Sequence, residues 1–244
     1  MFGVMRLSII IPALNEGERI AATLDPLADM RGLGVEVIVA DGGSHDATVQ
    51  RARLRSDRVV AAPRGRAAQI NAGAAKATGD VLVFLDADTR LPRAAEHHVL
   101  DGLARSGRDW GCFDLMFEGR NPLLWLVAAV MNLRTRITGV ASRDQVIFAK
   151  REVFQSAGGF PVIPLMEDIA LCKRLKHRGR PLCLRARVTA SGARFEPIGV
   201  LPSVVLMIRL RLAYAFGADP TELAERYRAA ELPRERHPSA LNRA

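Results

Sequence analysis

The chain has 244 residues, of which 49% are hydrophobic and 25% charged, as in folded globular proteins, so a disordered, collagen-like or disulfide-framework protein is excluded. Its formal net charge of +9 comes from 35 basic and 26 acidic residues. The basic residues are scattered and aromatic residues make up only 5%, which argues against a nucleic-acid-binding surface, where basic and aromatic side chains cluster together.

The first part of the chain alternates short apolar runs with helical patterns. Helices are predicted between the runs, over Gly17–Met30, Asp46–Leu54 and Ala67–Ala77. This βαβαβαβ order predicts a parallel sheet with helices on both faces. The four strands that alternate with these helices are predicted over Leu7–Ile11, Val35–Ala40, Arg58–Ala61 and Val81–Leu85.

The second part is less regular, and its arginines are denser. A helix is expected to begin after Leu91-Pro92 and to end near Ser106. Further strands are predicted over Gly111–Phe117, Val146–Ala149 and Leu182–Thr189. Further helices are predicted over Pro122–Ile137, Met166–Arg178, Pro202–Phe216 and Pro220–Tyr227.

Cysteine usage and hydropathy indicate where the protein works. Cys112, Cys172 and Cys183 are odd in number and lack a Cys-x-x-Cys spacing, so a reducing cytoplasm is expected. Leu123–Met131 is too short to span a membrane and Ile198–Phe216 is interrupted by proline and arginine. We favour core helices for both stretches, with peripheral contact at the inner membrane face as the alternative.

Acidic residues follow three of the predicted strands, at the end where each strand stops. Glu16 follows the first strand, Asp41 the second, and Asp86 with Asp88 the fourth. Ligands of open parallel sheets bind outside the carboxyl ends of the strands. Three such positions on one sheet therefore predict a common site better than they predict three separate helix caps.

The triplet Asp86-Ala87-Asp88 carries two carboxylates on one side of a strand end. Two carboxylates so close repel each other unless a cation lies between them. Hard oxygen ligands suit Mg²⁺ or Mn²⁺, which complete their coordination shells with water and substrate phosphate oxygens. The triplet therefore predicts a site for a divalent cation and a phosphate-bearing substrate.

Two further motifs carry polar chemistry. In Asp41-Gly42-Gly43-Ser44, two glycines after an acceptor allow the backbone to approach a flat ligand closely. Glu167 and Asp168 open a predicted helix, where they either stabilise the helix dipole or supply a general base. Neither Gly-x-Gly-x-x-Gly nor a Walker loop is present, which disfavours dinucleotide oxidoreductases and P-loop enzymes.

As an ordered set, these motifs resemble those of the family 2 glycosyltransferases. The resemblance covers about Leu7 to Arg178 and is nearest to short bacterial members of the arsenosugar-type or radical-SAM-associated subgroup, as Asp144-Gln145 and Gly158-Gly159-Phe160 indicate. The resemblance implies an α/β fold of the GT-A type, with a mostly parallel sheet and helices on both faces. The motifs that carry it are Pro12-Ala13-Leu14-Asn15-Glu16, Asp41-Gly42-Gly43-Ser44, Gly65–Gly79, Asp86-Ala87-Asp88 and Glu167-Asp168.

For the donor, the resemblance implies that Pro12 and Glu16 shape a nucleotide pocket and that Asp41 accepts hydrogen bonds from the base. Arg66 is expected near the phosphates. Asp88 is expected to hold Mg²⁺ or Mn²⁺ on the donor diphosphate, assisted by Asp86.

For the reaction, the resemblance implies that Asp168 is the general base of an inverting displacement, with Glu167 beside it. The expected activity is metal-dependent transfer of one sugar from a nucleoside diphosphate-sugar to a small or lipid-linked hydroxyl acceptor. Further candidates for binding the diphosphate or an anionic acceptor are Arg143, Asp144, Gln145 and Arg194.

The expected organisation is a nucleotide-sugar-binding half over residues 1–115, an acceptor-binding half over residues 116–231 and a flexible tail over residues 232–244. No Gln-x-x-Arg-Trp sequence follows the Glu167-Asp168 helix, which argues against a processive polysaccharide synthase. Two alternatives stay open, a non-catalytic nucleotide-sugar-binding subunit and a sugar-nucleotide pyrophosphorylase.

Overall fold

The computed structural model describes residues 5–231, except for the side chains of Arg194 and Glu231. In this part of the chain, eight strands form one sheet in the order β3-β2-β1-β4-β7-β6-β8-β5. The strands are β1 (Leu7–Ala13), β2 (Glu36–Asp41), β3 (Arg58–Ala61), β4 (Val81–Phe84), β5 (Thr89–Arg90), β6 (Trp110–Phe117), β7 (Ile147–Lys150) and β8 (Leu182–Ala190).

Residues 5–231 also contain ten α-helices. Short 3₁₀ turns occupy Asp25–Leu27, Arg143–Gln145, Lys176–Arg178 and Ala193–Phe195. The helices are α1 (Ile20–Leu24), α2 (Ala28–Gly32), α3 (Thr48–Arg53), α4 (Arg66–Lys76), α5 (Ala95–Ser106), α6 (Pro122–Thr138), α7 (Arg151–Ser156), α8 (Glu167–Leu175), α9 (Val200–Ala215) and α10 (Pro220–Glu231).

The predicted α/β architecture is confirmed. Strands β3, β2, β1 and β4 are parallel neighbours, and β6 pairs in parallel with β8. Successive residues of β1 face opposite sides of the sheet: Ile9 packs towards Met30 and Val99, whereas Ile10 belongs to the core that contains Ile70 of α4. Helices therefore cover both faces of a mostly parallel sheet.

Strand β7 reverses direction, and this reversal matters for the site. It runs antiparallel to β4 and to β6. Residues that precede β7 consequently lie at the same sheet edge as residues that follow β4. The turn Arg143–Gln145 is thereby brought next to Asp86 and Asp88.

Several predicted elements differ in detail. The helix predicted over Gly17–Met30 is divided into α1, a 3₁₀ turn and α2, because Pro26 lacks the N–H that a continuous helix requires. The short strand β5 and helix α7 were not predicted. Both are only two to six residues long, too short for a periodic pattern to reveal them.

The chain divides into two compact units, Met1–Gly192 and Ala193–Ala244. The boundary predicted at residue 115 falls inside β6, whose two halves pair continuously with β8 apart from a bulge after Phe113. The predicted tail, residues 232–244, lies outside the described residues. Among residues 5–231, no helix is both long and apolar enough to cross a bilayer.

An aromatic cluster anchors the end of β4 next to the candidate site. The ring of Phe84 lies 4.8 Å from that of Phe154 and 5.1 Å from that of Phe160. Asn71 of α4 holds the Phe160 backbone from both sides, donating from Nδ2 to its carbonyl at 2.8 Å and accepting from its N–H at 2.9 Å. The Gly158-Gly159-Phe160 segment is thereby fixed to α4.

We expect Asn71→Ala to lower the free energy of unfolding by about 1–3 kcal/mol, although alanine is the better helix former. The variant leaves a half-buried peptide group at Phe160 without its two partners. Urea unfolding followed by circular dichroism measures the change. Gln50→Ala, on the exposed face of α3, is the control and should stay within about 0.5 kcal/mol of the parent; equal losses in both variants would contradict the assignment.

Candidate active site

The structure brings most of the predicted site residues to the carboxyl edge of the parallel strands. Glu16 follows β1, Asp41 ends β2 and Asp86 follows β4. Arg66 begins α4, and Asp168 lies in the first turn of α8. Residues far apart in the sequence thus converge as the sheet geometry predicts.

Asp86 is held between two arginines. Its Oδ1 accepts from Arg66 Nε at 2.8 Å, and its Oδ2 lies 3.1 Å from Arg143 Nε. Arg66 also donates from Nη1 to Glu167 Oε1 at 3.1 Å. Burial alone would lower the pKa of Arg66, but Asp86 and Glu167 outweigh burial and raise it. Two permanent positive charges therefore lie beside the acidic triplet.

Asp88 has a different environment. Burial and the neighbouring charge of Asp86 raise the pKa of the Asp88 carboxyl above its ordinary value. Its Oδ1 accepts from the Thr89 hydroxyl at 3.3 Å, and the Thr23 hydroxyl of α1 donates to the Ala87 carbonyl, which anchors the triplet. The structure thus concentrates negative charge where a cation would relieve it.

The donor set at this edge fits a divalent cation that shares its ligands with a substrate. Within residues 5–231, no group of three His, Cys, Asp or Glu side chains is arranged to hold a metal ion by itself. Mg²⁺ and Mn²⁺ commonly bind through one or two carboxylates together with substrate phosphates and waters. Asp86 and Asp88 match that requirement, and the nearby arginines match a diphosphate.

Asp41 presents one free acceptor at the end of β2. Its Oδ2 accepts from the N–H groups of Gly43 and Ser44, each at 3.0 Å. Its Oδ1 is buried and has no hydrogen-bond partner. A buried carboxylate oxygen without a partner is costly unless a ligand supplies a donor.

Gly42 allows close packing beside Asp41. A Cβ atom at Gly42 would lie 2.8 Å from Nε2 of Gln69. That nitrogen donates to the carbonyls of Ala13 and Ala40, at 2.6 and 3.1 Å, and so ties the ends of β1 and β2 together. Gln69 was not predicted as a site residue, because its partners are backbone groups that the sequence does not reveal.

The segment after β1 forms the neighbouring wall. Pro12 is half-buried at the end of the strand. Asn15 adopts a left-handed conformation, with φ of 54°, and Glu16 donates its N–H to the Thr48 hydroxyl at 2.8 Å. Burial raises the pKa of Glu16, and the charge of Asp88 adds to the effect. Glu16 therefore lies within electrostatic reach of the acidic triplet, as predicted.

Asp168 is a buried carboxylate at the start of α8. Its Oδ2 accepts from the backbone N–H of Arg143 at 3.0 Å. Burial and the adjacent Glu167 raise the pKa of Asp168 to about 6. Met166, just before the helix, has a φ of 69°, an uncommon conformation for a residue with a side chain. This sharp entry aims the first turn of α8 at the site.

The Arg143–Gln145 turn holds three residues that were predicted to bind the diphosphate or the acceptor, and their side chains lie in different environments. The Arg143 side chain lies beside Asp86, and Asp144 is buried. Gln145 is also buried, and its Oε1 accepts from the backbone N–H of Ser142 at 3.1 Å and from the Thr135 hydroxyl at 2.8 Å. Its amide is thus engaged inside the protein, so Gln145 shapes the turn instead of facing a ligand. The side chain of Arg194 is outside the described part.

Arg134 of α6 lies near Asp168. It is mostly buried, its Nη2 donates to the Val140 carbonyl at 3.2 Å, and its Nε is buried without a partner. Burial lowers the pKa of Arg134, although nearby Asp168 opposes that change. No local signal separates this arginine from the many exposed ones.

The chain matches the family model described as glycosyl transferase family 2 over residues 8–139, which is more than half of its length. It belongs to glycosyl transferase family 2. The matched range runs from the second residue of β1 to just past the end of α6 and includes Asp41, Arg66 and the Asp86-Ala87-Asp88 triplet.

Two curated relatives share part of this family 2 sequence. One, named dolichol-phosphate mannosyltransferase, from Pyrococcus furiosus, is 30% identical over 112 residues, or 43% of this chain and 32% of the relative. The other, named 4,4'-diaponeurosporenoate glycosyltransferase, from Staphylococcus haemolyticus, is 32% identical over 108 residues, or 41% of this chain and 28% of the relative. The matched stretches span about a third of the relatives' length.

Solved structures of low sequence identity share the fold. S. aureus TarS 1-349 has a TM-score of 0.65 at 18% identity, covering 95% of this chain and 73% of that one. The mannosyltransferase PcManGT from Pyrobaculum calidifontis, in complex with GDP-Man and Mn²⁺, has a TM-score of 0.62 at 20% identity, covering 94% and 70%. This similarity confirms the predicted GT-A-like α/β architecture.

Proposed function

We propose that this family 2 protein transfers one sugar from a nucleoside diphosphate-sugar to a hydroxyl acceptor, with inversion at the anomeric carbon. One observation carries the proposal. Arg143 contacts Asp86 through its side chain at 3.1 Å and Asp168 through its backbone N–H at 3.0 Å. A single residue therefore connects the carboxylates suited to a donor diphosphate with the carboxylate suited to an acceptor.

The donor nucleotide would lie between the ends of β1 and β2. The unpartnered Oδ1 of Asp41 supplies an acceptor for an N–H group of the base. Gly42 lets Gln69 pack beside the end of β2, while Pro12 and Glu16 would form the other wall of the pocket. PcManGT, which was solved with GDP-Man and Mn²⁺, supports a donor of this class.

Asp88, with Asp86, would hold the cation. Bound Mg²⁺ or Mn²⁺ would neutralise negative charge on the leaving diphosphate. Arg66 and Arg143 flank the same position and can contact phosphate oxygens directly, because guanidinium groups recognise phosphate with two donors. Glu167 accepts from Arg66 at 3.1 Å and thereby orients it, so we assign Glu167 a positioning role.

Asp168 would act as the general base. Its carboxylate accepts the proton of the acceptor hydroxyl as that oxygen bonds to the anomeric carbon, while the bond to the diphosphate oxygen breaks and its electron pair leaves with the nucleoside diphosphate. Attack from the face opposite the leaving group inverts the configuration. The raised pKa of about 6 makes Asp168 a better base near neutral pH than an ordinary aspartate.

We propose that the acceptor is a small or lipid-linked molecule. We also propose that this chain belongs to the short bacterial subgroup of arsenosugar-type enzymes. The archaeal relative is named for dolichol phosphate, which supports a lipid-linked acceptor. Asp144 and Arg194 are candidates for acceptor contacts. We also propose that residues 116–231 bind the acceptor. The described cysteines carry free thiols, which supports a cytoplasmic location.

Donor binding is tested with a panel of UDP-, GDP- and TDP-sugars, measured by thermal shift with Mn²⁺ or with EDTA. We expect one donor class to raise Tm by about 5 °C at a hundred times its Kd, with Mn²⁺ required. NMR of the transferred sugar then reports the anomeric configuration. Binding without transfer to any acceptor or to water would favour the non-catalytic subunit, and retention of configuration would overturn the inverting mechanism.

A further inference from the structure

Helix α6 exposes an unbroken apolar stripe. Its inner face packs on β6, where Asn132 exchanges two hydrogen bonds with the backbone of Leu115 at 2.8 and 3.1 Å. Its outer face carries large apolar side chains, of which Trp125 is 67% exposed. The members of this apolar stripe, all exposed, are Pro122, Trp125, Leu126, Ala129, Val130, Leu133 and Ile137.

This arrangement is unusual for a helix at a protein surface. An ordinary surface helix turns charged residues towards water, yet residues 122–133 contain no charged side chain at all. The core face is already satisfied by β6, so the prediction of a simple core helix explains only half of α6. A contiguous exposed apolar surface of this kind marks an interaction site.

A basic segment lies at the carboxyl end of the stripe. Residues 173–180 include the exposed Lys173, Arg174, Lys176, Arg178 and Arg180. Lys176 Nζ donates to the Thr138 carbonyl at 2.8 Å, and Arg180 Nη2 donates to the Arg136 carbonyl at 2.6 Å, so the segment meets α6 directly. The sequence from residue 169 to residue 195 contains no Asp or Glu.

We propose that the apolar stripe of α6 and the basic segment 173–180 bind the surface of an anionic lipid bilayer. Interfacial helices bury an apolar face that contains Trp and Leu, while Lys and Arg contact anionic headgroups. The stripe is about 22 Å long, at 1.5 Å per residue, and it carries no charge that would resist insertion along residues 122–133.

The charge around the stripe favours a bilayer over a second copy of this chain. Two copies joined through α6 in parallel would bring two basic segments together, and antiparallel copies would leave both segments without an anionic partner, in a protein whose formal net charge is already +9. Like charges brought together at an interface oppose association. An anionic lipid surface instead complements them, by about 1 kcal/mol for each nearby basic residue, or about fivefold in partitioning.

Helix α9, in the second compact unit, also exposes an apolar face. Leu201, Val205, Ile208 and Leu212 follow one face of the helix and are each more than half exposed. Arg209 lies on this face as well and is exposed. The unit therefore contains a second helix of the interfacial type.

The test uses the full chain and needs no sugar or acceptor, so its outcome is independent of the proposed transfer. Vesicles of phosphatidylcholine, with or without 30% phosphatidylglycerol as a chosen composition, are sedimented with the protein at low and high salt. We expect binding to the anionic vesicles that weakens with salt. No binding to anionic vesicles would overturn the proposal.

Tryptophan fluorescence locates the contact. The two tryptophans differ sharply, since Trp110 is fully buried and donates to the Gly179 carbonyl, whereas Trp125 is 67% exposed. Anionic vesicles should shift the emission of Trp125 to the blue and expose it to lipid-borne quenchers. Sedimentation with an unchanged spectrum would overturn the assignment of the contact to α6.

Matched variants separate the stripe from general surface effects. Val130→Glu should lower vesicle partitioning at least about tenfold, whereas Leu54→Glu, a change at a side chain 76% exposed outside the stripe, should not. Lys173→Gln with Arg178→Gln should lower it about tenfold to thirtyfold, against Arg53→Gln with Arg105→Gln as the control. Equal losses of partitioning in variant and control would overturn the proposal. So would a protein that does not bind vesicles but forms a dimer that Val130→Glu dissociates.

Discussion

Replacing Asp88 with asparagine is expected to lower sugar transfer by about 10²- to 10³-fold, with the fold intact. Burial and the charge of Asp86 raise the pKa of Asp88, so a bound cation would relieve an unfavourable negative charge at this position. Asparagine keeps the size of the side chain but removes the charge that would hold the metal on the donor diphosphate. Initial rates with saturating donor and Mn²⁺ measure the loss.

Position 88 is a sharper test than position 86. Asp86 pairs with both Arg66 and Arg143, and removing a partner of buried charged groups destabilises a protein. Asp88 accepts from Thr89, the adjacent residue, at 3.3 Å, so its replacement disturbs less of the structure. Circular dichroism and thermal unfolding of the variant should therefore match the parent protein.

Asp101→Asn supplies the matched control for Asp88→Asn. Asp101 is an exposed residue of α5, and the same chemical change there should leave the transfer rate unchanged. The Mn²⁺-dependent thermal shift by the donor should disappear in Asp88→Asn and persist in Asp101→Asn. If Asp88→Asn turns over as fast as the parent, the proposed role of the triplet is wrong.

The strands and their ends were predictable because their signals are local. Leu7–Ile11 and Val81–Leu85 are apolar runs that end at a proline or an acid, and they match β1 and β4 within one or two residues. Parallel pairing then brings the residues after each strand to one edge. This is why Glu16, Asp41 and Asp86 were placed together correctly from the sequence.

The contacts that complete the site depend on distant pairings. Arg66 and Glu167 are 101 residues apart yet 3.1 Å from each other. The position of Arg143 beside Asp86 requires β7 to run antiparallel to β4, which no residue pattern near Val146 reveals. Strand direction follows from the packing of the whole sheet, so Arg143 was predicted only as a general candidate, and the buried contacts of Gln145 were not foreseen.

The environment of α6 was also beyond sequence reasoning. Leu124 and Ala128 face the core whereas Leu126 and Val130 face outwards, but all four are apolar. A helix that is apolar on both sides gives no contrast from which to infer its orientation. The choice between a core helix and an interfacial helix therefore required the structure.

Asp168 should give the transfer reaction a pH dependence that an ordinary aspartate would not. Its pKa of about 6 exceeds the ordinary 3.8 because of burial and the charge of Glu167. A general base must be deprotonated, so kcat/KM should be constant above about pH 7 and fall tenfold per unit below about pH 6. Rates at saturating Mn²⁺ from pH 4.5 to about 8.5 measure the midpoint.

Asp168→Asn should lower kcat by about 10²- to 10⁴-fold and remove this acid limb from any residual rate. Since the folded-state pKa lies above the unfolded value, the buried charge costs stability progressively as pH rises from about 4 to 6. The variant, which lacks that charge, should be at least as stable as the parent at pH 8. Asp101→Asn is again the control, with both rate and acid limb unchanged. An acid limb near pH 4 in the parent, or an active Asp168→Asn, would show that another group takes the proton.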